Sequence, residues 1–223
     1  MTRVKICGLT REEDVDAAVD AGADAVGVIS GFPNSPRAVS ISRAGSLISR
    51  VPPFVTSVLV TTAEALVQHL DAVKRAAPGA IQLYSMSLSP HTVRHSFHAY
   101  LLKPYSVGAH ESDGADVLSK VKEAVKGYDA LLTDTLREGY DGGTGLTSDW
   151  SVCAAIRKAI APTPLILSGG LRPDNVELAV ATVQPFCVDV SSGVESAPGV
   201  KDKAKVRAFV AKANAAEERR VEQ

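Results

Sequence analysis

Cysteine is scarce in this 223-residue sequence: Cys7, Cys153 and Cys187 are an odd number at irregular spacing. They offer neither a disulfide framework nor a paired-thiol metal site. Each is read first as a buried, inert, small hydrophobe. Aromatic residues are also few, at 5%, and the one tryptophan, Trp150, marks no interface, so monomer and homodimer both stand. No apolar run reaches the roughly 18 residues that span a bilayer, which argues against a membrane partner. Neither charge predominates: 24 Lys and Arg meet 25 Asp and Glu, and no basic stripe of a nucleic-acid binder forms. Met1 to Lys5 run straight into a strand-like segment without a signal-peptide core, so a cytoplasmic location is expected.

What is present is a regular alternation. Apolar residues make up 45% of the chain, enough for a sizeable core. Short β-branched runs stand at Val4–Cys7, Ala25–Ile29, Thr56–Val60, Ala80–Tyr84, Tyr100–Pro104, Ala130–Asp134, Pro164–Ser168 and Cys187–Ser191. Helical stripes lie between them, as at Val15, Ala18 and Val19, or at Leu66, Leu70, Val73 and Ala77. Thr10 with Glu13 and Thr61 with Glu64 have capping-box spacing. Ser40, Ser89, Asp149 and Pro173 stand where further helices should begin, and Gly22 and Gly79 where helices should end. Eight strand–helix units predict an α/β fold with parallel pairing, either an open doubly wound sheet or a closed (β/α)8 barrel. The count of eight, and the Gly/Ser-rich segments after strands seven and eight, favour the barrel. One domain is expected over residues 1–212, followed by a charged, frayed tail over 213–223.

In a barrel the chemistry gathers at the C-terminal ends of the strands. Lys5 and Cys7 share a face of strand one, directed inward if Val4 and Ile6 face the helices. An ammonium there is costly unless it meets a negative partner or a ligand, and it would favour a neighbouring thiolate. The plainer reading is a core-filling Cys7 and a snorkelling Lys5. Asp134 ends the apolar run of strand six, as a half-desolvated acid or as a turn aspartate. The Gly142-Gly143-Thr144-Gly145 loop, Ser168-Gly169-Gly170-Leu171 and Ser191-Ser192-Gly193 offer N–H groups and hydroxyls to a phosphate, above the alternative of plain turns. Asp189, if inward, lies next to strand one. Arg37, presented by the stiff Pro33-Asn34-Ser35-Pro36 loop, suits a carboxylate or is simply a surface arginine.

Together these segments resemble the phosphoribosylanthranilate isomerase family. The family's K-I-C-G-[LIV], [KN]-S-P-R, L-L-D with G-G-T-G, G-G-L and D-V-S-S-G-V-E stand here in order. They are Lys5–Leu9, Asn34–Arg37, Asp134 with Gly142–Gly145, Gly169–Leu171 and Asp189–Glu195. Pro198–Asp202 is also family-like. Gln82-Leu83-Tyr84-Ser85 departs from the usual Q-L-H-G. The resemblance implies an aldose–ketose isomerase of tryptophan biosynthesis acting on a small phosphosugar–anthranilate substrate, without metal or cofactor. It implies Cys7 as general base and Asp134 as general acid. Lys5, Arg37 and Asp189 are implied as substrate-binding, with Arg37 toward the anthranilate carboxylate. Gly143, Gly145, Gly170, Ser192 and Gly193 are implied as the phosphate cradle.

Rival readings are weaker. Indole-glycerol-phosphate synthase needs an interior lysine–glutamate set that has no place here. A ribulose-phosphate epimerase wants metal-binding histidines at strand ends, whereas all five histidines fall in helices or loops. A bifunctional barrel of histidine and tryptophan synthesis would lack Cys7. A non-catalytic phosphate binder would need neither Cys7 nor Asp134.

Overall fold

The alternating pattern resolves into a closed cylinder. The computed structural model describes residues 2–84, 88–107, 115–135 and 149–221. In chain order the first half comprises β1 (Arg3–Cys7), α1 (Glu12–Asp20), β2 (Ala25–Ile29), α2 (Ile41–Ser49), β3 (Thr56–Thr62), α3 (Ala63–Gln68), α4 (Leu70–Ala76) and β4 (Ala80–Tyr84). The second half comprises α5 (Pro90–Ser96), β5 (Tyr100–Val107), α6 (Ala115–Ala124), β6 (Ala130–Thr135), α7 (Trp150–Ile160), β7 (Leu165–Leu167), α8 (Val176–Val183) and β8 (Cys187–Val190). A 3-10 turn at Ser192–Val194 leads to the small pair β9 (Glu195–Ala197) and β10 (Val200–Lys201), and α9 (Lys203–Val221) ends the described chain. Strands β1 to β8 pair in parallel in sequence order, and β1 joins β8 as well as β2, so the sheet is a barrel and the open alternative is excluded.

Period-two alternation divides the apolar residues between two shells. Val4, Ile6, Val26, Leu59, Ile81 and Leu131 point outward and pack under the helices. Val58, Val60, Leu102, Leu132, Ile166 and Cys187 point inward and fill the barrel axis together with Cys7. Burying a side chain of that size stabilises the fold by roughly 1.5–3 kcal/mol, so the layers below the mouth form a rigid floor. Among the described residues no helix is long and apolar enough to cross a membrane.

Several expected element ends shift. Helix α1 is capped at Arg11, not Thr10; the Thr10 hydroxyl instead donates to the Gly199 carbonyl at 2.7 Å. The cap of α3 is Thr62, whose hydroxyl accepts from the Ala65 amide, because Thr61 still belongs to β3 and is buried. Ser40, Ser89 and Asp149 cap as expected. Pro173 sits in a turn, and α8 starts only at Val176. The stripe from Leu66 to Ala77 is broken at His69 into two helices, and Ala77 rather than Gly79 takes the left-handed conformation that ends the second. Residue 213 is no boundary: α9 runs through it to Val221, with Ala213 and Ala216 buried against the barrel's helical layer. The run of charge was misleading there, since small residues on one face suffice to dock the helix.

Candidate active site

Strand β1 brings Lys5 and Cys7 inward, as its alternation requires. The Lys5 ammonium is sealed, 2.9 Å from Asp189 Oδ1 on the adjacent β8 and 3.1 Å from Gln82 Oε1 on β4. An ammonium only donates, so it dictates the orientation of the Gln82 amide. Oε1 faces Lys5, and Nε2 donates to the Tyr84 hydroxyl at 3.3 Å. The second Asp189 oxygen accepts from the Ser168 hydroxyl at 3.2 Å. Burial alone would lower the Lys5 pKa, but the attraction of Asp189 and Cys7 outweighs it and raises it above the ordinary lysine value. At Cys7 the balance falls the other way. Burial pushes the thiol up, and the pull of Lys5 does not compensate while Asp189 stands beside it. Lys5 finds its negative partner in Asp189, and the pull toward a thiolate expected from its charge is opposed at Cys7 by burial. Lys5 does not border the cleft that Cys7 enters; it lies two residues deeper along β1. Gly27, paired with Cys7 across β1 and β2, leaves room for the sulfur, since a Cβ there would stand 2.7 Å from Sγ.

Cys7 and Asp134 border one cleft at the C-terminal mouth, along with Gln82, Tyr84, Arg37 and Asp189. Asp134 is half-buried near the end of β6. Going round the ring from β1 through β8 and β7, β6 is the third neighbour, so base and acid candidates approach from different sides. Between them lie Ser168, Gly169 and Gly170 after β7, and Ser191, Ser192 and Gly193 after β8. Gly169 and Gly170 have φ of 95° and 64°, a turn open to glycine. Gly193 is needed for space: a Cβ would fall 1.9 Å from the Leu171 carbonyl oxygen, so the two loops touch through backbone. Among the described residues the amides of Gly170, Ser192 and Gly193 donate to no protein acceptor. The expected cradle residues Gly143 and Gly145 lie outside the described residues.

Arg37 reaches the cleft, but not as a lone cation. Its Nε and Nη2 donate to the two carboxylate oxygens of Glu195, each at 2.8 Å. Lys201 on β10 donates to the same carboxylate at 2.9 Å. Burial works against the charged Glu195, but hydrogen bonds from Arg37 and the Lys201 charge hold its carboxyl below the ordinary range. Sequence reasoning assigned no task to Glu195, Lys201, Gln82 or Gly27. The only hint was the glutamate that closes the strand-eight segment and the lysine of Pro198–Asp202.

Fold and cleft define a single-barrel enzyme of the (β/α)8 class, with its chemistry at the C-terminal mouth. Residues 4–212 match the family model of N-(5'-phosphoribosyl)anthranilate (PRA) isomerase, and the chain belongs to that family. It is an isomerase of tryptophan biosynthesis. The N-(5'-phosphoribosyl)anthranilate isomerase of Halobacterium salinarum is 46% identical over 219 residues, 96% of this chain and 97% of its own. The phosphoribosyl anthranilate isomerase of Thermotoga maritima superposes with a TM-score of 0.81 at 35% identity, over 96% of this chain and all of that one, and is elsewhere described as dimeric. A further structure of the enzyme holds reduced 1-(o-carboxyphenylamino)-1-deoxyribulose 5-phosphate, with a TM-score of 0.77, 34% identity and coverage of 96% and 100%.

Proposed function

We propose that this chain opens the ribose ring of N-(5-phosphoribosyl)anthranilate and carries it to 1-(2-carboxyphenylamino)-1-deoxyribulose 5-phosphate, with Asp134 as acid and Cys7 as base. The observation that carries this reading is the convergence of Cys7 and Asp134, from opposite parts of the chain, on one cleft. Asp134 delivers a proton to the ring oxygen, the bond from that oxygen to C1′ breaks, and a Schiff base remains. The iminium acidifies the C2′ proton; Cys7 gives its own thiol proton to solvent and, as the thiolate, removes the C2′ proton to give an enolamine. Tautomerisation then yields the ketone. The isomerisation moves only protons, so it calls for no metal, nicotinamide or pyridoxal. Each general acid or base step contributes roughly 10²–10⁴-fold.

The phosphate rests on the amides of Gly170, Ser192 and Gly193, completed by Gly143 and Gly145 of the loop after β6. Arg37 faces the anthranilate carboxylate. Asp189 borders the anthranilate side, and Lys5 acts from beneath through Asp189. Held at both ends, the sugar presents C1′ and C2′ between acid and base. The three buried free thiols suit a reducing cytoplasm. A homodimer is favoured over a monomer. Phe54 is fully exposed at a φ of 71°, and with Tyr100 and Phe186 it rims an apolar cavity at the N-terminal mouth, a surface that a second copy would cover.

Loss of anthranilate fluorescence on turnover tests the roles. Cys7→Ala and Asp134→Ala should each lower turnover at least about 100-fold while circular dichroism and binding of the reduced product analogue stay near wild type. Turnover within a few-fold of wild type in either variant removes that residue from its role.

A further inference from the structure

One buried charged cluster at the mouth has no part in the proton transfers. The side chains of Glu195 and Lys201 are 5% and 0% exposed, yet neither donates to nor accepts from the sugar in the scheme above. We propose that Glu195 and Lys201 are positioning residues that convert Arg37 into an end-on, net-positive receptor for the aromatic carboxylate of the ligand. The inference rests on the reading of Arg37 given above.

A guanidinium has five N–H groups on one plane. Glu195 occupies the side edge, taking Nε and one Nη2 hydrogen, each across 2.8 Å. Among the described residues nothing accepts from the far end, with both Nη1 hydrogens and the second Nη2 hydrogen, which is a fork that matches a second carboxylate. A bidentate grip on one edge also stops rotation about Cδ–Nε, so the fork keeps a fixed direction. The arginine stem is pinned as well, because a Cβ on Gly8 would lie only 2.8 Å from Arg37 Cδ.

Charge explains Lys201. Arg37 and Glu195 alone sum to zero and would offer an incoming carboxylate little attraction, with the Glu195 anion close behind the fork. Lys201 Nζ, 2.9 Å from Glu195 Oε1, restores one positive charge to the cluster. It is anchored independently of Arg37, through the Ser191 carbonyl at 3.0 Å and, by its own amide, through Asp14 Oδ2 at 3.2 Å. The cluster thus joins the loop after β2 to the β9–β10 pair by charge-assisted bonds in a place shielded from water, where such bonds are strong.

The test compares two unreactive ligands on the full chain: the reduced product analogue, and the same compound with a phenyl ring lacking the carboxylate. Wild type should bind the carboxylated ligand about 10–100-fold more tightly, the range of a hydrogen-bonded charge. Glu195→Gln leaves two cations without their anion, so charge alone would raise that ratio; release of the fork from its fixed direction should instead bring it down toward one, leave the affinity for the phenyl ligand unchanged, and raise KM far more than it lowers kcat. Glu195→Asp, which keeps the charge but withdraws the oxygens, is read by the same ratio should the glutamine variant not fold. A folded Glu195 variant that keeps the wild-type ratio, or that loses both ligands equally, overturns the inference while Arg37→Ala still abolishes the ratio. If Arg37→Ala itself retains discrimination, the reading of Arg37 fails, and the inference with it.

Discussion

At Cys7 three influences meet within a few ångströms. Burial favours the thiol, Lys5 favours the thiolate, and Asp189 spends most of the Lys5 charge by pairing with it. The outcome is a sulfur that resists ionisation in the free enzyme. Alkylation by iodoacetamide reports the thiolate, so modification of Cys7 should be slow at pH 7 and should still be accelerating beyond the ordinary cysteine value of about 8.5. Cys7→Ala identifies the site, and a rate already at its plateau by pH 7 would contradict this balance. The Lys5–Asp189 pair is itself buried, and removal of one partner leaves the other charge stranded. Lys5→Met should therefore destabilise the fold by about 3–5 kcal/mol in urea unfolding, well beyond an ordinary surface change.

Individual elements carry the chemistry by ending where they do. β7 and β8 stop, and the loops beyond them approach through Gly193 so closely that a single Cβ would meet the Leu171 carbonyl. Gly193→Ala should displace the Ser192–Gly193 amides and weaken inorganic phosphate binding by about 10–100-fold, the range of one hydrogen bond to a charged group. Calorimetric titration of phosphate checks this. The helices behind the strands are held by ordinary means. The Ser40 hydroxyl accepts from the Arg43 amide at the start of α2, and Ser40→Ala should cost about 1 kcal/mol in denaturant unfolding with no change in turnover.

Over the whole molecule the buried ionisable groups bound the pH range of stability. Glu195 has a folded pKa below its unfolded value, so its contribution is present above the ordinary carboxyl range of about 4.3 and is lost as pH falls through the folded value. The thiols act in the opposite sense. Burial pushes Cys153 up to about 11 and raises Cys7 and Cys187 too, so their contribution is complete below the unfolded value and is lost as pH rises through the folded ones. Tm should hold a plateau between roughly pH 5 and 8 and decline on both sides. Replacing Cys153 by Ala should soften the alkaline decline, and an unchanged decline would exclude the thiol as its source. Association belongs to this scale as well. Phe54→Asp should leave a smaller particle in analytical ultracentrifugation with turnover retained, because Phe54 lies at the barrel end away from the cleft.

How much of this could be read from the chain follows from the range of each interaction. Period-two runs placed all eight barrel strands to within a few residues; alternation set Lys5 and Cys7 on one inward face, and the end of an apolar run set Asp134 near the mouth. Such patterns depend on neighbours one or two residues apart, which the sequence states directly. Helix caps slipped by one residue at Thr10, whose hydroxyl is taken by the distant Gly199 carbonyl, and at Thr61, which still belongs to β3. Arg37 with Glu195, Lys5 with Gln82, and Gly27 with Cys7 became partners only when the ring closed and brought distant segments into contact. Charge balance at the base and at the carboxylate receptor was therefore settled by tertiary structure, because a field depends on which charges are adjacent in space, not in order along the chain.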